Sequence, residues 1–162
     1  MLLTGKPILA IVYLFKEEDM STRARRYTAI EIAEYVLDKC VRDGCPISNL
    51  HLQPILYFLQ KAFLKKKQHL LFKDKIYAGK YVPIILPVHE RYCLAGAYPL
   101  LERYDAYLPE DVCEILGPEI KRLCAIPLLD LIRSVKEEPA WKKAVQSKSQ
   151  ELRLHLDEER VC

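Results

Sequence analysis

The chain has 162 residues, 51% of them hydrophobic and 29% charged, with a net charge of +3 at neutral pH. That length suits one domain able to bury roughly 70% of the surface its unfolded chain exposes. Collagen-like and broadly disordered classes are excluded by composition, and six cysteines are too few for a disulfide scaffold.

In chain order, the first apolar run is Ile8 to Phe15, far short of the ~20 residues of a membrane span. It passes directly into Lys16-Glu17-Glu18-Asp19 with no small-residue cleavage site, so it does not read as a signal peptide. Residues 1–26 therefore read as an N-terminal extension: either an extra strand, or a non-native stretch preceding a start at Met20.

Thr28-Ala29-Ile30-Glu31 forms a capping box, and Ile30, Ala33, Leu37 and Cys40 then recur at helical spacing until Gly44 and Pro46 stop the helix. A second helix is predicted from Ser48 or Asn49. Leu50, Leu52, Ile55, Leu56, Phe58, Leu59, Ala62, Phe63 and Leu64 make it apolar on more than one face, which places it at the centre of the domain. Pro54 inside it predicts a kink or a late start.

The periodicity changes at Phe72 to Val82, where Ile76-Tyr77-Ala78-Gly79-Lys80-Tyr81-Val82 favours a short strand or hairpin arm ended by Pro83. Pro87 opens a short helix with Val88 and Tyr92, closed by Gly96. Helix resumes from Pro109 to Leu116, with a break expected at Gly117-Pro118 before Ile120 to Leu123. Another helix runs from Pro127 through Leu131 and Val135. Pro139 opens the last, through Trp141, Val145, Leu152 and Leu156, so that 147–162 is a helical tail. The fold class is mainly α: a compact multi-helix domain with a short β-hairpin or strand insertion.

The chemistry-bearing residues are sparse. Five glycines stand singly, so no phosphate-binding loop exists, and no nucleophile elbow is present. Cys40 and Cys45 are five positions apart, while His51, His69, His89 and His155 are scattered, so no metal or cofactor is expected. Cys40 lies on the apolar stripe of the first helix, where a small buried thiol is the ordinary role. Unpaired thiols suit a reducing cytoplasm, and no membrane partner is implied.

From Lys61 to Lys80 seven lysines and one acid carry about +6, leaving the remainder near −3. This patch reads first as a solvated helix end with its flanking loop. It reads second as the footprint of an anionic partner, hence of a nucleic-acid-binding regulator. The helix, tight turn, helix unit also resembles a helix-turn-helix. Its second helix, however, opens with only His51 and Gln53 as groove-reading side chains, so nucleic acid is not the favoured partner.

The string YTAIEIAEYVLDKC (Tyr27 to Cys40), followed by ISNLHLQPILYFLQKAFL (Ile47 to Leu64), resembles the Panacea domain, the SocA-like antitoxin family also labelled phage-associated protein. In the first helix Tyr27, Ile32, Ala33, Val36 and Leu37 follow that pattern. In the second, Leu50, Leu52, Gln53, Leu56, Tyr57 and Phe58 do so. Gly79 to Ile84, Pro87-Val88 and Glu90 continue it, as do Leu131, Ser134, Val135 and Trp141 near the end. Pro54, Gly79, Val82 and Val135 depart from it, standing where the family has Lys, Trp, Gly and His.

The resemblance implies a SocA-like domain over residues 27–146 and a non-enzymatic antitoxin that binds a protein toxin encoded nearby. Its alternative is an adaptor that delivers a partner to an energy-dependent protease. The partner-binding residues it implies are Gln53, Tyr57, Lys80, Tyr81, Pro83 and Trp141.

Overall fold

The structure, a computed structural model, describes residues 26–154. These form six α-helices and three short strands, a mainly helical fold with a small sheet, as the periodicity indicates.

Helix α1 (Ala29–Arg42) begins at the expected capping box: the Glu31 amide donates to Thr28 Oγ1 at 3.2 Å, and the Thr28 amide to Glu31 Oε2 at 2.8 Å. Its entry is also tied to a distant segment. Tyr27 pairs in parallel with Phe72, and the Ala29 amide donates to Asp74 Oδ2 at 2.6 Å. Helix α2 (Asn49–Lys67) is capped by Ser48 and packs against α1 and the later helices, burying Leu52, Ile55, Leu56, Leu59 and Phe63. It runs without interruption from Asn49 through Pro54. The expected late start is thus absent, because Ser48 caps the helix six residues before the proline and Leu50, whose carbonyl Pro54 leaves unbonded, lies on the exposed side.

Strands β1 (Ile76–Ala78) and β2 (Pro83–Ile84) pair antiparallel, with Tyr77 opposite Ile84 and Ala78 opposite Pro83. Pro83 therefore opens the second arm rather than ending the element. At the turn the Gly79 amide donates to the Val82 carbonyl at 3.1 Å, and a Cβ on Gly79 would stand 2.5 Å from that oxygen. No side chain fits there.

Helix α3 (Leu86–Tyr92) has Pro87 in its first turn and continues into a short 3-10 turn closed by Gly96 at φ 58°. Helix α4 (Glu110–Cys124) passes straight through Gly117-Pro118, which corrects the expected break. Pro118 faces solvent there, while Val112, Leu116, Ile120 and Leu123 bury one continuous apolar face, which outweighs the one hydrogen bond that proline removes. Helix α5 (Leu128–Glu137) and helix α6 (Pro139–Gln146) follow their opening prolines.

Over its described part, residues 147–154, the chain departs from the helical tail expected over 147–162. Ser147 takes an extended backbone, its hydroxyl bonds the Ala144 carbonyl and the Gln150 amide, and Gln150 adopts φ 53°. Strand β3 (Glu151–Leu152) then adds to β1, giving the sheet order β2-β1-β3. Hydroxyl side chains that compete for helix-end carbonyls and amides explain the stop. Leu152 reaches the core from a strand, while Leu156 and the Ile8 to Phe15 run lie outside the described residues.

Two buried amides join helix α2 to the extended segments. Gln60 accepts from the amides of Leu71 (2.8 Å) and Phe72 (3.1 Å) and donates to the Phe72 carbonyl at 2.9 Å. Gln53 accepts from the Ile85 amide at 2.9 Å and donates to Asn49 Oδ1 at 3.1 Å. Replacing Gln60 by Leu strands two amides and a carbonyl in the interior, so urea unfolding of Gln60→Leu is expected to show a loss of about 3 kcal/mol.

Candidate interaction surface

The six residues expected at a partner contact divide by burial. Gln53, Tyr57, Pro83 and Trp141 are interior, while Lys80 and Tyr81 are exposed at the hairpin turn. Gln53 holds the entry of α3, as above. The Tyr57 hydroxyl donates to Glu138 Oε2 at 3.1 Å, an oxygen that Lys61 Nζ also reaches at 2.6 Å, tying α2 to the α5–α6 junction. Pro83 lies within β2, and Trp141 packs on the buried face of α6. These four are corrected to fold-holding roles: motif position identified them, but apolar bodies inside a small domain are taken by the core, and the Gln53 carboxamide is engaged by Ile85 and Asn49. Lys80 and Tyr81 remain accessible as a pair, with the ammonium 5.0 Å from the ring centroid.

The basic segment is also less available than its charge count implies. Lys61 pairs with Glu138, Lys67 with Asp111 at 2.8 Å, and Lys75 with Glu151 at 3.6 Å.

A different segment displays the exposed apolar surface. Of nine large hydrophobic side chains exposed among the described residues, four lie within residues 94–107. Leu94 is 98% exposed, Tyr98 79%, Leu101 64% and Tyr107 86%. Residues 96–109 form neither helix nor strand, an unusually long connection for a domain of this size and one of the lengths associated with function.

This connection is held from beneath. Leu100 and Leu108 are core residues, and the Leu100 amide donates to the Ile47 carbonyl at 2.8 Å. Asp38, a carboxylate buried on α1, accepts from Arg103 Nε at 2.7 Å, from the Tyr104 amide at 3.1 Å and from Arg42 Nε at 2.9 Å. The Arg103 hydrogen bond, helped by that amide and by Arg42, holds the Asp38 carboxyl below the usual carboxylate range, against burial that pushes it up.

Tyr92 and Tyr104 share a hydroxyl–hydroxyl bond of 3.0 Å, and burial raises both phenols above their ordinary value. The Arg91 guanidinium lies 5.5 and 5.7 Å from those two ring centroids and bonds Glu34 on α1 at 2.7 Å. The inward side of the connection is therefore fixed by packing and charge, and its outward side carries Leu and Tyr. A hollow of about 180 Å³ opens beside it, lined by Tyr27, Glu31, Glu34, Ala106, Tyr107 and Leu108.

No family model, curated protein or solved structure matches this chain. Among the described residues, no group of three or more His, Cys, Asp and Glu side chains is placed to hold a metal ion, and no helix is long and apolar enough to cross a membrane.

Residues 94–107 were not singled out from the sequence. Their only signal is Tyr98, Leu100, Leu101, Tyr104 and Tyr107 crowded between Gly96 and Pro109, with Leu94 just before them, and with neither helical nor strand period. Removing the anchor tests how the segment is held. Asp38→Ala is expected to cost about 2 kcal/mol, because Arg42 and Arg103 can turn to water while the Tyr104 amide loses its acceptor. Proteolysis between Leu101 and Tyr107 should accelerate in the same variant.

Proposed function

We propose that this chain is a non-enzymatic binding protein whose partner is a protein, and that it acts as an antitoxin toward a toxin encoded nearby, as the resemblance to the Panacea domain implies. One observation supports the binding reading most strongly: Leu94 on the 3-10 turn, and Tyr98, Leu101 and Tyr107 on the connection after it, face solvent, and the inner side of that connection is fixed by Asp38, Leu100 and Leu108. A pre-ordered set of tyrosines and leucines suits protein recognition, since tyrosine offers a large contact area at low entropic cost and the loop has little order left to gain on binding.

The hollow beside Tyr107 gives that surface a concave edge where a partner side chain can seat. Lys80 and Tyr81 remain a second accessible contact in this reading. The pairing of Lys61, Lys67 and Lys75 with carboxylates favours a protein over a nucleic acid.

The test is co-expression with the products of the neighbouring reading frames. The parent chain is expected to protect cells from one of them and to co-purify with it. Tyr107→Ala should weaken that complex about thirtyfold, as truncation of an interface anchor does, with an unchanged circular dichroism spectrum. Lys80→Glu should act mainly on association rate and its salt dependence. Protection by the Tyr107→Ala chain equal to that of the parent would remove the 94–107 surface from the interface. Failure of the parent against every neighbouring product would overturn the antitoxin reading.

A further inference from the structure

Three thiols meet where the first turn of the fold touches the end of α4. Cys40 lies in the last turns of α1, Cys45 in the α1–α2 connection, and Cys124 is the final residue of α4. The Cys45 amide donates to the Cys40 carbonyl at 2.8 Å, and the Cys45 thiol donates to the Cys124 carbonyl at 3.2 Å. The Cys124 thiol donates to the Lys121 carbonyl at 3.4 Å, and the Cys45 sulfur, seated on the Cys124 carbonyl, is its neighbour across the two elements. Sequence spacing hides this set, because Cys124 is 79 positions from Cys45.

The three thiols differ in access. Cys40 and Cys124 are buried, whereas Cys45 is half-exposed. Burial, followed by the neighbouring Cys45 thiol, raises the Cys124 thiol to about 11; burial, followed by the charge of Cys124, raises Cys40 to about 12. Attack on an external reagent therefore falls to Cys45, the thiol that solvent reaches. Elsewhere among the described residues, Cys93 bonds the Glu90 carbonyl and Cys113 the Leu108 carbonyl, both away from this set.

We propose that Cys45 and Cys124 form an oxidisable pair that closes into a disulfide when the chain meets a low-molecular-weight disulfide. The Cys45 thiolate attacks one sulfur of the reagent, breaking its S–S bond and releasing one thiolate that takes up a proton. Cys124 then loses its proton to solvent and attacks Cys45 Sγ, releasing the second reagent thiol. Two protein thiols are oxidised by two electrons, and one reagent disulfide is reduced to two thiols. The new bond joins the α1–α2 connection to the end of α4 and closes a loop of about 80 residues, for which chain entropy leads to a melting temperature about 10 °C higher. Cys40, buried in α1, is left reduced.

The experiment exposes the reduced full chain to glutathione disulfide, alkylates the remaining thiols and digests with trypsin. The cut sites separate all three cysteines, into Cys40–Arg42, Asp43–Lys61 and Leu123–Arg133. The expected product is Asp43–Lys61 cross-linked to Leu123–Arg133, with Cys40 alkylated. A Cys40–Cys45 cross-link, or Cys45 carrying glutathione alone, would overturn the proposal. In Cys124→Ala, Cys45 should accumulate as the mixed disulfide at least tenfold above the parent, since the thiol proposed to resolve it is gone and Cys40 is buried. Cys45→Ser, a change at a half-exposed site, is the second variant. It should lose the oxidation-dependent rise in melting temperature, and retention of that rise would also overturn the pairing.

Discussion

Gln53 and Gln60 stand seven residues apart on α2, two helical turns along one face, and each is buried with its carboxamide oxygen bound to backbone amides. The segments they hold, Leu71-Phe72 and Ile85, flank the β1–β2 hairpin on either side. Neither of these segments has a sheet long enough to satisfy its own backbone. The two side chains do for them what neighbouring strands do in a larger sheet, and a buried amide left without that acceptor would cost more than an ordinary surface contact can return. The hairpin, the entry to α1 at Tyr27 and the start of α3 all follow from that attachment.

The same device recurs with charge at Asp38. A carboxylate on an otherwise apolar helix face is an expensive residue to bury, and it is stabilised there by two guanidinium groups and one backbone amide. Its position orders a connection that has no secondary structure of its own. The outward side chains of that connection are displayed by a rigid support, which is the condition under which exposed tyrosine and leucine recognise a partner at small entropic cost. Arg91, between the Tyr92 and Tyr104 rings and bonded to Glu34, ties α1 and α3 to that support.

Much of the helical frame was legible in the sequence, because caps and apolar periodicity act locally. The Thr28–Glu31 box, Ser48, Pro87, Pro109, Pro127 and Pro139 all stand where helices begin. Where local rules misled, tertiary burial had won. Pro118 continues α4 because the helix's apolar face is continuous across it, and Leu152 pairs beside β1 once Ser147 has ended α6. Gln53, Tyr57 and Trp141 were conspicuous as motif residues, yet a motif preserves a core as readily as a contact surface. The 94–107 segment carried no period at all, since its inward residues answer to Asp38 and Ile47 in other elements. The thiol set was equally hidden, with its members drawn from α1, the following turn and α4.

The central physical claim is that side-chain amides and carboxylates hold extended backbone as firmly as the helices hold themselves. Native-state amide hydrogen exchange tests it most directly. The amides of Leu71, Phe72, Ile85 and Tyr104 are expected to exchange with protection comparable to that of Leu56 and Leu59 in the middle of α2, because opening them requires breaking the domain. Exchange of those four amides at the rate of the exposed turn around Lys80 and Tyr81, while α2 remains protected, would contradict it.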